Sequence, residues 1–155
     1  MKLKKLDQQF YIDHAHLVEA LDNANGNWTK GKTRGYGIVV ITINTLTFAI
    51  PLRSNIRHKA AYITVKSNAP GVYGKGLDFS KALLITNNKY ISNAQFNIDA
   101  FEHKTLAGKE HFIAKKFEKY VENYVSAIQH NRAGVLKRAE YRFTTLQNYH
   151  TELKI

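Results

Sequence analysis

Residues 50–59 read "IPLRSNIRHK": an apolar run ends in Pro51, and Arg53, Ser54, Arg57, His58 and Lys59 crowd in behind it. Upstream, "KGKTRGY" places Lys30, Lys32, Arg34 and Tyr36 in alternation, so extended chain would put all four on one face. Cations and hydroxyls in this density suit a phosphodiester. When RNA is cut by its own 2′-OH, a catalyst takes that proton, steadies the pentacovalent phosphorane and protonates the departing 5′ oxygen. Arg and Lys can hold non-bridging oxygens, and a lysine among cations or a histidine near neutrality can move protons, with no metal needed. The candidate reaction centre is therefore Lys32, Arg34, Arg53, Ser54, Arg57, His58 and Lys59, with Tyr36 as a further donor or stacking ring. Ser54 has no evident Asp-His relay and reads as a phosphate donor, or else as a turn-forming serine. His58 has an alternative role as a loop cap, and Lys59 as a solvent-facing start to the next strand.

What must position these residues is a hairpin. "YGIVVITI" (36–43) is β-branched and "LTFAIPL" (46–52) answers it across Asn44-Thr45. A two-residue turn there would set Tyr36 opposite Arg53 and Arg34 opposite Asn55, with Lys32 near Arg57. Both basic runs would then meet at the open end. Like charges at ~4 Å repel by about 1 kcal/mol in water, and an anion between them turns that cost into binding.

Around the hairpin, "KLKKL" reads as a short edge strand and His14–Leu21 as a short helix, with Leu17, Val18 and Leu21 at helical spacing. Residues 22–35 are a loop by composition. "AYITVK" (61–66), the apolar end of "LDFSKALLI" (77–85) and part of "KYISNAQFNID" (89–99) supply further strands. Beyond Asp99 the period lengthens. Phe112, Ile113, Phe117, Tyr120, Val121, Tyr124, Val125 and Ile128 mark one face of a long helix. After Gly134, the series Val135, Ala139, Phe143 and Leu146 predicts a second. The expected fold is α+β: one domain over residues 1–155, a strongly bent antiparallel sheet with helices laid against it, two of them C-terminal.

The 155 residues carry 23 Lys and Arg against 12 Asp and Glu, a net charge of +11. Such an excess costs self-repulsion and points to a polyanionic partner, nucleic acid before membrane, since no basic amphipathic helix with a bare apolar face is evident. The absence of cysteine removes disulfides and thiolate metal sites. No run has the length of a membrane span, and the start lacks a signal-peptide core. Neither a metal nor another cofactor is expected, and the expected compartment is the cytoplasm.

At "KTRGYGIVVI" (32–41), "LTFAIPLRSNIRHKAAYITV" (46–65) and "GKGLDFSKALLI" (74–85) the chain resembles the ToxN/AbiQ-type endoribonuclease toxins of bacterial type III toxin–antitoxin systems, nearest to their CptN/TenpN branch. The likeness covers the first ninety residues well and the rest by architecture. It implies a compact barrel similar to MazF/Kid toxins, with helices around it. It implies metal-independent cleavage leaving a 2′,3′-cyclic phosphate and a 5′-OH in cellular or phage RNA, in a bacterial cytoplasm and in phage defence. It also implies a small repeated pseudoknot RNA as antitoxin, processed by the toxin and held in a closed protein–RNA assembly. Members of the family share a Pro-Leu-Thr-Ser strand end followed by Pro-Lys. Here Pro51, Leu52 and Ser54 keep their places, Arg53 replaces the threonine, and Asn55-Ile56 replaces Pro-Lys. The lysine role then passes to Arg57, Lys59 or Lys32. For the wider RNA surface, stacking rings beside cations nominate Trp28, Lys30, Tyr36, Asn55, Tyr73 and Lys75, with Arg132, Lys137, Arg138 and Arg142 from the final helix. Two other readings stay open: a basic RNA- or DNA-binding module without catalysis, and a MazF-like nuclease controlled by a protein antitoxin.

Overall fold

The computed structural model describes residues 1–31 and 33–155; Lys32, nominated above for the reaction centre, lies outside the described residues. In chain order the elements are β1 (Lys4–Leu6), α1 (Gln8–Asp13), the short ribbon β2 (Asn23–Ala24) and β3 (Asn27–Trp28), then β4 (Tyr36–Val40) and β5 (Thr47–Ile56). β6 (Ala61–Lys66), β7 (Gly74–Asp78), β8 (Leu83–Ile85) and β9 (Ile91–Gln95) follow. The helices α2 (Ala100–Leu106), α3 (Glu110–Gln129), α4 (Ala133–Leu136) and α5 (His150–Leu153) complete the chain. Seven strands form one antiparallel sheet in the order β6-β7-β5-β4-β1-β9, with β8 also paired to β5. The α+β expectation holds at this level. β1, expected at an edge, lies between β4 and β9.

β5 is the organising strand. Phe48 through Leu52 are all buried, because β5 has partners on both sides and side-chain packing above and below. One side pairs with β4. The other is shared, β8 taking Thr47–Ala49 and β7 taking the end from Leu52.

The β4–β5 register differs from the expected one by two residues. Tyr36 pairs with Pro51 and Val40 with Thr47. The turn is four residues rather than two: the Ile41 N–H donates to the Leu46 carbonyl at 2.9 Å, and Asn44 and Thr45 both take positive φ. Threonine dislikes that conformation, but the loop is pinned from outside. The buried carboxylate of Glu118 on α3 accepts from the Thr42 hydroxyl and from its N–H. Asn44 donates to the Glu152 carbonyl at 3.1 Å.

The long helix is as its period predicts. α3 buries Ile113, Phe117, Tyr120, Val121 and Tyr124 against the sheet, where Phe48 and Phe79 meet Phe117 edge to face at 5.1 and 5.6 Å. Phe112, assigned to that same face, is instead 56% exposed. Two helices differ from expectation. The first runs over Gln8–Asp13, started by the Asp7 side chain accepting from Gln9 N–H, while 14–21 form turns. There Asn148 holds both the N–H and the carbonyl of Val18, which a helix would need for itself. The second C-terminal helix breaks into α4, a 3₁₀ turn and α5. Thr144 caps Leu146 N–H, the Tyr120 hydroxyl takes the Glu140 carbonyl at 2.7 Å, and Thr145 donates to backbone carbonyls near Ser80, so the backbone has better partners than its own next turn.

Candidate functional site

Past Tyr36 the ladder continues with the Leu52 N–H donating to the Gly35 carbonyl at 2.8 Å, which carries Arg34 alongside Arg53. The open end of the hairpin thus does gather cations from both arms, though as a different pair from the expected one. On its far side β5 pairs with β7, Arg53 opposite Gly76 and then Ile56 opposite Gly74. Three steps on β5 match two on β7, so one residue is extra. This bulge falls at Ser54–Asn55, where Asn55 has φ 56. Asparagine tolerates the left-handed region better than most residues. The bulge leaves Ser54 and Asn55 exposed, beyond the buried stretch Phe48 to Leu52 of the same strand.

Here a cleft of about 340 Å³ is lined by Thr33, Arg34, Arg53, Ser54, Lys75 and Phe96, with the backbone of Gly35 and Leu52. Phe96 can lie on the chain at Gly35 because that residue has no side chain: a Cβ there would stand 2.4 Å from the ring. On β7, Gly76 is needed for a similar reason, as its Cβ would meet the Tyr62 carbonyl oxygen at 2.1 Å. β6 therefore packs close against the strand that presents Lys75.

Each cation in the cleft is tethered. Arg34 makes a bidentate pair with Asp22 (2.9 and 3.1 Å) and donates its third nitrogen to the Leu52 carbonyl at 2.7 Å, with a side chain only 14% exposed. Much of its donor capacity is spent on fastening the 22–34 segment to β5. Arg53 places Nη1 on Asp78 Oδ2 at 2.9 Å and keeps a partly exposed fork. Lys75 reaches Glu102 Oε1 at 2.8 Å, and the second oxygen of that buried carboxylate has no partner among the described residues.

Behind the cleft, the buried Asp78 serves three groups. Besides Arg53 it accepts from the Ser80 hydroxyl at 2.7 Å and from the Ser80 N–H, and His58 Nε2 approaches Oδ1 at 3.1 Å. Burial alone would raise the Asp78 carboxyl, but His58, Ser80 and Arg53 outweigh it and hold it below its ordinary value. His58 Nδ1 faces the Ala60 N–H at 3.2 Å, and Nε2 faces Asp78 and the Ser80 hydroxyl.

The sequence-nominated residues separate accordingly. Arg34, Arg53, Ser54 and Lys75 line one cleft. His58 does not line the cleft but stands behind it, with both ring nitrogens engaged and the side chain 9% exposed. Arg57 is exposed beyond the bulge, beside Gly71, and is not part of the cleft lining. Lys59 lines another hollow with Tyr62, Tyr73, Phe112 and Lys116. Tyr36 cannot stack on a base, since it is buried to 2% exposure with its hydroxyl on Tyr11. Asn55 forms the bulge itself. Trp28 and Lys30 line a separate pocket under α1. Of the C-terminal cations, Arg132 and Arg138 line a depression with Tyr141, and Lys137 and Arg142 are exposed; none of the four lines the cleft. Sequence reasoning missed Phe96, Asp22, Asp78 and Glu102. An aspartate inside the apolar stretch "GLDFS" was the one visible signal among these.

Among the described residues no helix is long and apolar enough to cross a membrane. No family model, curated protein or solved structure matches the chain.

Proposed function

We propose that the chain is a metal-independent endoribonuclease whose reaction centre is the Arg53–Ser54 cleft. The observation that carries this reading is the convergence of Arg34, Arg53, the bulge-exposed Ser54 and Lys75 on one cleft of a strongly basic protein. Arg53 offers its free guanidinium edge to the non-bridging oxygens, and Ser54 donates to one of them. The 2′-OH attacks the adjacent phosphorus and the 5′ oxygen leaves, so products are a 2′,3′-cyclic phosphate and a 5′-OH, with no water consumed. The Lys75 ammonium, steadied by Glu102, delivers the proton to the leaving oxygen. Lys32, two residues before Arg34 in the chain, is assigned the proton of the 2′-OH. Phe96 gives a flat apolar wall for a base next to the cut.

The resemblance to ToxN/AbiQ-type toxins supports the same reading and extends it to a toxin held by a pseudoknot RNA, in a closed protein–RNA assembly in the bacterial cytoplasm. The antiparallel sheet around β5 would then be the counterpart of a MazF/Kid-like barrel. The test is direct. Purified protein is incubated with total cellular RNA and EDTA, and fragment ends are mapped. Recurring short sites with 5′-OH ends, lost in Ser54→Ala, are the expected result. Cutting that disappears on chelation contradicts the mechanism. Intact RNA bound equally well by wild type and Ser54→Ala would make the protein a binding module instead.

A further inference from the structure

A second aromatic-lined hollow, apart from the cleft, lies between α1 and β3. Tyr11 and Ile12 form one wall, Trp28 and Lys30 the other, with Gln8 and Asp22 also on its surface, around about 340 Å³. The Tyr11 and Trp28 rings meet edge to face at 5.1 Å and 76°. Ile12, an apolar residue on the rim, is 62% exposed. The buried indole N–H of Trp28 has no hydrogen-bond partner among the described residues. That is a donor left unsatisfied where burial would normally have found it an acceptor.

We propose that this pocket takes one nucleobase, from the same strand whose phosphodiester occupies the Arg53–Ser54 cleft. The proposal rests on the RNA reading of that cleft and adds a specificity site to it. Two aromatic rings supply a stacking surface, Lys30 at the rim answers a backbone phosphate, and Gln8 offers both a donor and an acceptor to a base edge. An apolar peptide side chain would use the rings but leave Lys30 without a role. Continuity with the cleft is the second argument. Trp28 to Gly31 line the pocket, and Thr33 to Gly35 line the cleft. From Lys30 to Arg34 the chain spans at most about 14 Å, so one short stretch of RNA reaches both. Asp22, on the pocket surface, also holds Arg34 of the cleft, so a base seated here bears on the residue that fastens the reaction centre.

Trp28 is the only tryptophan in the chain, so its fluorescence reports this pocket alone. The experiment titrates the full-length protein with each nucleoside 5′-monophosphate and with ribose 5-phosphate, following indole emission, while RNA cleavage is measured on the same preparation. A saturable change with at least one nucleotide and none with the sugar phosphate is expected. Stacking is worth about 1–3 kcal/mol per base, so Tyr11→Ala should weaken that binding roughly five- to 150-fold, measured by equilibrium dialysis. Ile12→Glu, at an exposed position, should do the same by placing a like charge at the rim. Should no nucleotide give saturation, or should ribose 5-phosphate match them all, the base pocket is wrong. Cleavage without a nucleotide response removes the pocket and leaves the nuclease; a nucleotide response without cleavage does the reverse.

Discussion

Arg53 and Ser54 are neighbours in sequence but owe their roles to different causes. Arg53 is aimed by Asp78, whereas Ser54 is exposed by the bulge that follows it. Truncating a group that stabilises developing charge typically costs about 10²–10³ in kcat, and that loss is expected for Arg53→Ala and for Ser54→Ala in a single-turnover RNA assay. Arg57→Ala and Lys59→Ala, outside the cleft, should stay within about threefold of wild type if charge around the site is the only thing they lose. Asp78 carries the pH prediction. Its folded-state carboxyl is held below the ordinary value, so its contribution is present above an unfolded pKa of about 3.9 and is lost as pH falls through the folded one. Urea unfolding should therefore show Asp78→Asn clearly less stable than wild type at pH 7, with the gap closing below about pH 4. A gap that persists unchanged at pH 3 would mean the carboxylate charge is not what stabilises the network.

At the scale of elements, the site depends on a β-bulge and on one strand with two partners. Forcing a β-branched side chain into the left-handed region costs about 1–2 kcal/mol, so Asn55→Val should lose about that much stability while Asn55→Gly stays close to wild type. The same Asn55→Val change should impair cleavage beyond its effect on stability, because flattening the bulge withdraws Ser54 from the cleft. Chemical denaturation and cleavage rates measured on the same pair of variants check both halves. The hairpin turn is held by Glu118 on α3, which ties the helix to the strand pair that presents the cations. Losing that contact should loosen the register rather than unfold the sheet, since β5 keeps β7 and β8 on its other side.

For the whole molecule, charge and tyrosine burial dominate. With +11 overall, RNA affinity should fall steeply with salt; for single strands the slope of log K against log salt is about −0.7 per phosphate neutralised. Binding isotherms at several salt concentrations measure it, and a flat plot would remove the electrostatic reading. Tyr36, Tyr120, Tyr141 and Tyr149 all have hydroxyls pushed upward by burial, Tyr141 to about 12. Groups raised in the folded state contribute stability that is whole below their unfolded pKa of about 10 and is lost as pH climbs through the folded values. Alkaline titration should thus show tyrosinate absorbance from these residues appearing together with loss of circular dichroism, not as independent steps near pH 10.

What the sequence determined by itself was everything carried by local period and by charge. The β-branched runs of β4, β5 and β6, the long face of α3 and the basic excess need no distant partner to be recognised. The co-location of Arg34 with Ser54 was legible too, because any hairpin over 36–52 joins those two ends. Tertiary structure decided the rest. A four-residue turn pinned by Glu118 moved the register by two, and the pairing of β7 with the far side of β5 brought Lys75 to the cleft. Thr144, Thr145 and Asn148 gave the backbone partners that broke one expected helix and displaced another. Asp22, Asp78 and Glu102 fixed which cations point into the hollow and which are spent on structure. Each of these depends on a contact between residues far apart in the chain, and a side chain's propensity contains no term for a partner that only folding supplies.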